Sequence, residues 1–415
     1  NINNEIDVVE SLPDFWQNSD KEDLEFLFDN LEINNSKVLT SLLFDTLVGY
    51  VNAPNIYSQE EFDNLRIKTL INLGQTEKAL SLINNINTYD NYKDYYDLLK
   101  LNYYFSINDL NNACNFKENF QENLNDKTNI LLKINIFCSF IQNKVEEAVF
   151  LNSLLLDTND NDEYFQKIFF NLKNDKKELI DISTLSFSDD SIAIYSAMLR
   201  IGNFPLNEKF LEYDPFNFSL PIILSSSTDM FLRLKSAHKA YELGLLKAES
   251  LSALYQSVDF TYEQLNDSTQ TAENTQKIPE MRMALLFQKA NVQLLPITRL
   301  ESLKEFWNYA QANNMELLAY DMSKNLIESI EPSEELFEYA ILISRAHIYN
   351  KNFTLAERWI QFTDTYINDQ VDLNVKELQS IKLLYDLKTS ENNDSFINIL
   401  IANLYNKESK LYEIN

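Results

Sequence analysis

An all-α fold of stacked antiparallel helix pairs, an α-solenoid in two arrays, is what this chain of 415 residues predicts. Three observations carry that expectation. Glycine and proline number only 4 and 8, against roughly 7% and 5% in ordinary chains. Sandwiches and barrels need glycine at tight turns, where it supplies a positive φ, so a β architecture is disfavoured. Apolar residues recur at helical spacing rather than in alternation. Finally, one turn-and-helix unit returns at a nearly constant period.

The first unit is Leu73-Gly74-Gln75-Thr76-Glu77-Lys78-Ala79-Leu80. A helix carrying Phe62, Leu65 and Leu70 should end at Gly74, the residue best suited to a left-handed C-terminal cap. Thr76 is the expected N-cap of the next helix, which carries Leu80, Leu82 and Ile83. Ala79 lies five residues beyond the turn, where a small side chain lets two antiparallel helices approach. The second unit is Asn108-Asp109-Leu110-Asn111-Asn112-Ala113, flanked by Tyr95, Leu98, Leu99 and Tyr103 before it and Phe116 and Phe120 after it. The third is Asn143-Lys144-Val145-Glu146-Glu147-Ala148, between Ile130, Leu131, Ile134 and Phe137 and Val149, Leu151, Leu154 and Leu155. Asparagine replaces glycine there because it tolerates the left-handed region. The alanines at 79, 113 and 148 are 34 and 35 residues apart.

The series breaks next. The run Asp181–Asp190 is rich in Ser and Asp, and Gly202-Asn203-Phe204-Pro205 is followed by Tyr213-Asp214-Pro215-Phe216-Asn217-Phe218-Ser219-Leu220-Pro221. Proline lacks an N–H and pushes its predecessor out of the α region, so 201–224 is expected to be a non-helical, aromatic-rich junction, or a loop folded over a concave surface. A second array follows. Gly244 ends one helix before Ala248, Asn314 precedes Ala319 by five, and Lys351 precedes Ala356 by five. The expected organisation is therefore a helical array over 1–200, the junction over 201–224 and a second array over 225–415. Two more polar interruptions fall at Thr261–Lys277 and Ser390–Ser395. The terminal helix Phe396–Tyr405 is where an uncapped array end should appear.

In turn, small residue and period the chain resembles tetratricopeptide and related α-solenoid repeats, although it lacks a Trp-x-x-Leu-Gly run and most of the usual terminal prolines. That resemblance implies a scaffold for protein segments. The segment Lys277–Ile360 also resembles an uncharacterised family of alphaproteobacterial helical-repeat proteins, on Arg282-Met283-Ala284-Leu285-Leu286-Phe287-Gln288-Lys289-Ala290, Pro296, Arg299-Leu300-Glu301-Ser302-Leu303 and Ala356-Glu357-Arg358-Trp359. It implies an exported, periplasmic protein. The opening Asn1-Ile2-Asn3-Asn4, without Met, points the same way.

The chemistry of the sequence narrows the function by exclusion. A formal net charge of −28 repels nucleic-acid phosphates and anionic lipid, and suggests a basic or neutral protein partner. Hydrophobic residues at 45% exclude a disordered chain. The most apolar stretches, Ser41–Val51 and Ile130–Ile141, are too short to span a membrane and read as buried helices. No two glycines lie within twenty residues of each other, so no glycine-cradled phosphate loop can form. Neither His238 nor His347 has a second ligand at helical spacing, and no cofactor or metal is expected. Cys114 and Cys138 read as buried free thiols, with a disulfide open only to neighbouring helices. The run Asp157–Glu163 lacks the glycine and the bidentate glutamate of a calcium loop and reads as a solvated turn. The densest cluster is aromatic: Tyr89, Tyr92, Tyr95, Tyr96, Tyr103, Tyr104 and Phe105. Tyr92, Tyr95 and Tyr96 form one helical stripe. Packing is its ordinary role, and Tyr92, Tyr95, Tyr96 and Tyr103 are the candidate partner-binding residues of a concave groove. The expected function is a non-enzymatic interaction scaffold. The alternatives are a structural subunit of a larger assembly and a hydrolase or lyase using paired carboxylates.

Overall fold

The computed structural model describes residues 16–31, 37–86, 90–116, 128–158, 160, 162–176, 180, 191–266, 278–366 and 372–389. Tyr89, Phe120, Asn159, Asn161, the run 181–190, most of the 261–277 stretch, the interruption at 390–395 and the helix expected at 396–405 lie outside the described residues.

Among the described residues the fold is all-α, without a strand. The chain divides into two compact units, Asn1–Leu245 and Leu246–Asn415. The first holds α1 (Lys21–Asp29), α2 (Lys37–Val48), α3 (Gln59–Asn72), α4 (Thr76–Asn85), α5 (Lys93–Ser106), α6 (Leu110–Phe116), α7 (Thr128–Ile141), α8 (Val145–Asp157), α9 (Glu163–Lys173), α10 (Ile192–Ile201), α11 (Glu208–Tyr213), α12 (Pro215–Leu224) and α13 (Met230–Glu242). The second holds α14 (Ala248–Gln256), α15 (Tyr262–Asn266), α16 (Pro279–Val292), α17 (Pro296–Ala312), α18 (Glu316–Ile327), α19 (Ala340–Tyr349), α20 (Phe353–Tyr366) and α21 (Asp372–Thr389). Successive helices pack as pairs, most closely α3 with α4, α7 with α8, α12 with α13, α16 with α17 and α19 with α20.

One turn recurs between successive helices, although α12 and α13, and α16 and α17, are joined without it. Gly74, Asn108, Asn143, Gly244, Asn314 and Lys351, the six residues expected at turns, all have φ between 58° and 73°. At each, the residue's own N–H bonds the carbonyl three residues back. The next N–H reaches the carbonyl five residues back, for example Gln75 to Leu70 at 2.7 Å and Met315 to Ala310 at 2.8 Å. This double bond pattern satisfies carbonyls that a helix end otherwise leaves open. Asp175 (φ 49°) and Asn203 (φ 53°) form the same turn, and the sequence gives no alanine to announce them. The five expected alanines, Ala79, Ala113, Ala148, Ala319 and Ala356, are all fully buried. Thr76 is the first residue of α4 rather than its cap. Gln75 occupies the cap position without a side-chain bond.

Three expectations are corrected. The segment 201–224 is not a non-helical junction, and it belongs to the N-terminal unit. The Asp214 carboxylate accepts from the N–H groups of Phe216 and Asn217, both at 3.1 Å, and so caps α12, with Pro215 at the first helical position, where a missing N–H costs nothing. Pro221 is tolerated inside the same helix. Phe218 is buried as expected, but Tyr213 is half exposed. Secondly, Cys114 and Cys138 are not free thiols. They form a disulfide joining α6 to α7, with Cα atoms 5.6 Å apart. Thirdly, packing in the N-terminal unit is not purely between sequence neighbours, because α10 and α12 both return to pack on α5. Its core runs through Phe62, Ile67, Leu70, Ile83 and Tyr96, and then through Phe105, Phe137, Phe165, Tyr195, Phe210 and Phe218. Each such side chain contributes about 1.5–3 kcal/mol of burial energy.

Candidate functional site: a cleft on the N-terminal unit

The return of α12 encloses a cleft of about 630 Å³. Three of the left-handed turn residues, Gly74, Asn108 and Asn203, line it. One wall is the turn into α4, from Gly74 to Lys78. A second is the end of α5, with Tyr103, Ser106 and Ile107. The third is α12, which contributes Phe216, Asn217, Leu220, Pro221 and Leu224. Arg200, in the last turn of α10, completes the lining.

Local contacts hold these walls in register. The Phe216 ring lies over Gly74 so closely that a Cβ there would fall 1.7 Å from it. Glycine is thus required at 74 twice, for its φ and for its lack of a side chain. Asn217 donates from Nδ2 to Thr76 Oγ1 at 3.2 Å and to Asp214 Oδ2 at 2.6 Å. The Tyr103 hydroxyl donates to Glu77 Oε1 at 3.0 Å. Burial, reinforced by the Glu77 carboxylate, pushes the Tyr103 phenol up to about 12.

Arg200 is the unusual group. Its Nε donates to Ser196 O at 3.2 Å and one Nη2 hydrogen to Phe105 O at 2.5 Å. A guanidinium carries five N–H donors, so three remain. No carboxylate oxygen of the described residues lies within 4 Å of it. Burial alone pushes its pKa down to about 10. Nothing in the sequence marked Arg200, because the cleft joins segments more than a hundred residues apart.

The four candidate tyrosines are not brought to one surface. Tyr96 is fully buried, its ring 6.0 Å from Tyr92 and 5.7 Å from Tyr95, with its phenol raised by burial. It is a core residue and cannot touch a partner. Tyr92 and Tyr95 are half-buried against the same core, and only Tyr103 lines the cleft.

The acidic run at 157–163 is also redefined. Asp160 and Asp162 do not form a solvated turn, because their carboxylates enclose the Lys133 ammonium at 3.1 and 2.6 Å, with side chains only 9% and 3% exposed. Tyr195 donates to the same Asp162 oxygen, and the Phe165 N–H to the other at 3.0 Å. A buried ammonium needs such company to offset its lost hydration. His238 and His347 are buried, and burial pushes each down to about 4, so both are neutral core groups at pH 7. Among the described residues no group of three or more His, Cys, Asp or Glu could hold a metal ion, and no helix is long and apolar enough to cross a membrane.

No family model matches the chain, and no curated protein and no solved structure matches it either.

Proposed function

We propose that the chain is a non-enzymatic scaffold that binds a peptide or protein segment on its helix pairs. The observation that carries this reading is the recurrent hairpin, in which one left-handed turn and one buried alanine set two antiparallel helices together in both units. We read each unit as a short tetratricopeptide-like stack, closed in the N-terminal unit by the return of α12. Stacked pairs offer broad grooves, and their usual occupants are protein segments. The charge of −28 favours a basic or neutral partner, with acidic side chains steering its approach. Tyr92, at the N-cap of α5, and Tyr95, in its first turn, both half-buried, are the proposed contacts, with Tyr103 a separate one at the cleft. The disulfide supports an exported, periplasmic setting, since such bonds persist in oxidising compartments.

A structural subunit of a larger assembly is the second reading. Phe150 and Leu156 on α8 and Phe170 on α9 are 62%, 52% and 51% exposed, the kind of apolar surface that an assembly covers.

Capture on the immobilised chain from its native cells, followed by mass spectrometry, tests the scaffold. The expected result is a basic partner that raised salt releases and that a Tyr92→Ala/Tyr95→Ala variant retains poorly. Retention indifferent to both salt and the double variant contradicts the proposal.

A further inference from the structure

We propose that the cleft enclosed by α4, α5, α10 and α12 binds a small organic carboxylate with an apolar body, and that Arg200 anchors its carboxylate. The first ground is an unbalanced charge. The chain has 63 acidic residues, yet the described carboxylates leave Arg200 without an ion-pair partner. Its two carbonyl contacts, to Ser196 and Phe105, fix the guanidinium and leave three N–H donors unused among the described residues. A partly desolvated cation lacking a counter-ion is costly, and a planar carboxylate is the anion that matches a guanidinium fork.

The second ground is the local charge. The ionisable side chains lining the cleft are Glu77, Lys78, Tyr103 and Arg200, with Tyr103 neutral at pH 7. Glu77 already accepts the Tyr103 hydroxyl, and the Lys78 ammonium sits 5.1 Å above the Phe44 ring. The lining is therefore net positive on a strongly negative chain, and Arg200 is the group left to meet an anion. The third ground is the α12 wall. Beside Asn217 it presents an apolar stretch of Phe216, Leu220, Pro221 and Leu224, and Leu224 is 80% exposed. A volume of about 630 Å³ falls within the usual span of small-ligand pockets. A hydrated inorganic anion would leave that wall uncovered, whereas an amphiphilic carboxylate covers wall and cation together. Arg200 would serve such a ligand whether or not the helix pairs also bind a protein.

Titration calorimetry of the full chain with octanoate, 1-octanol and octylamine separates charge from greasiness. Octanoate should saturate one site, with octanol about tenfold weaker, the value of one charge-assisted hydrogen-bond pair, and octylamine weaker still. Arg200→Met should reduce octanoate to the affinity of octanol. Leu224→Glu changes only an exposed wall residue, so it keeps the fold, and it should weaken octanoate by repulsion. Arg358→Met, which removes an exposed arginine paired with Glu331 in the other unit, should leave octanoate binding unchanged. Octanol binding as tightly as octanoate, an absence of saturable octanoate binding, or wild-type affinity in Leu224→Glu would each overturn the proposal. So would an acidic peptide that depends on Arg200 where octanoate does not bind.

Discussion

In the N-terminal unit the Lys133 ammonium is enclosed by two carboxylates whose side chains are 9% and 3% exposed, and Arg66 is paired with Asp63 at 2.9 Å in a similarly buried place. In the C-terminal unit the carboxylates of the described ion pairs are 29 to 66% exposed, although Arg282 and Lys289, which share Glu305, are only 11% and 21% exposed. Buried polar atoms without a hydrogen-bond partner among the described residues occur in both units, at Ser191, Ser196 and Ser236 Oγ in the first and at His347 Nε2 and Trp359 Nε1 in the second. The N-terminal unit also has the disulfide. Both units use the same turn between helices, and that shared turn leaves the interior open to different solutions. Both units pack around apolar cores, and the first adds buried ion pairs and a covalent link.

The largest expected effect follows from that contrast. Lys133→Met leaves Asp160 and Asp162 without their cation and should destabilise the N-terminal unit by about 3–5 kcal/mol. Lys382→Met removes the exposed pair with Asp364 and should cost under about 1 kcal/mol. Hydrogen exchange read separately on peptides of the two units checks both, and equal changes would break the comparison. Reducing the disulfide releases a loop closed over 24 residues of separation, worth about 3.5 kcal/mol by chain entropy. Protection should fall only in the N-terminal unit.

Two glycines sharpen the comparison of turns. Gly74→Ala meets a strained φ and the Phe216 ring together and should cost about 3 kcal/mol. At Gly244 nothing lies within 4 Å of an added Cβ, so Gly244→Ala should cost about 1 kcal/mol, the backbone term alone. Urea midpoints of the two variants distinguish them, and equal midpoints would show that the Phe216 contact contributes nothing.

Acidification should act on both units, since each has one buried histidine. His238 and His347 have folded pKa values near 4, below the ordinary 6.5. The unfolded chain therefore takes up the protons first, and stability is lost as pH falls from about 6.5 towards 4. The loss between pH 7 and pH 5 should be on the order of 2 kcal/mol for each histidine. His347→Leu should flatten the pH profile of the C-terminal unit alone, and an unchanged slope would count against the neutral-core assignment.

How far the sequence reached depends on the range of the physics involved. Gly74, Asn108, Asn143, Gly244, Asn314 and Lys351 were legible because a left-handed turn restricts residue type locally, and the buried alanine five places on supplied a second mark in five hairpins. Asp175 and Asn203 escaped because Ile180 and Glu208 stand at that fifth place. The 201–224 segment was misread because Asp214-Pro215 looks like a turn, whereas the aspartate caps a helix that the proline begins. The disulfide, the Lys133 cluster and the cleft depend on which helices become neighbours. A spacing of 24 residues between cysteines, or of 29 between Lys133 and Asp162, holds no such information.

The left-handed turn is the recurrent link between helices in both units, and a glycine scan reads it by sign. Asn108, Asn143, Asp175, Asn203, Asn314 and Lys351 all hold a positive φ with a side chain attached. Glycine removes that strain, so each substitution should raise stability by about 0.5–1 kcal/mol, most at Lys351, because lysine tolerates the left-handed region less well than asparagine or aspartate. Glycine in an ordinary helical position costs about 1 kcal/mol instead. A rise in the urea midpoint of Lys351→Gly, followed by smaller rises at the asparagines, is the predicted result. A fall at Lys351 would mean that the turn is not left-handed there, and the repeat built on it would not stand.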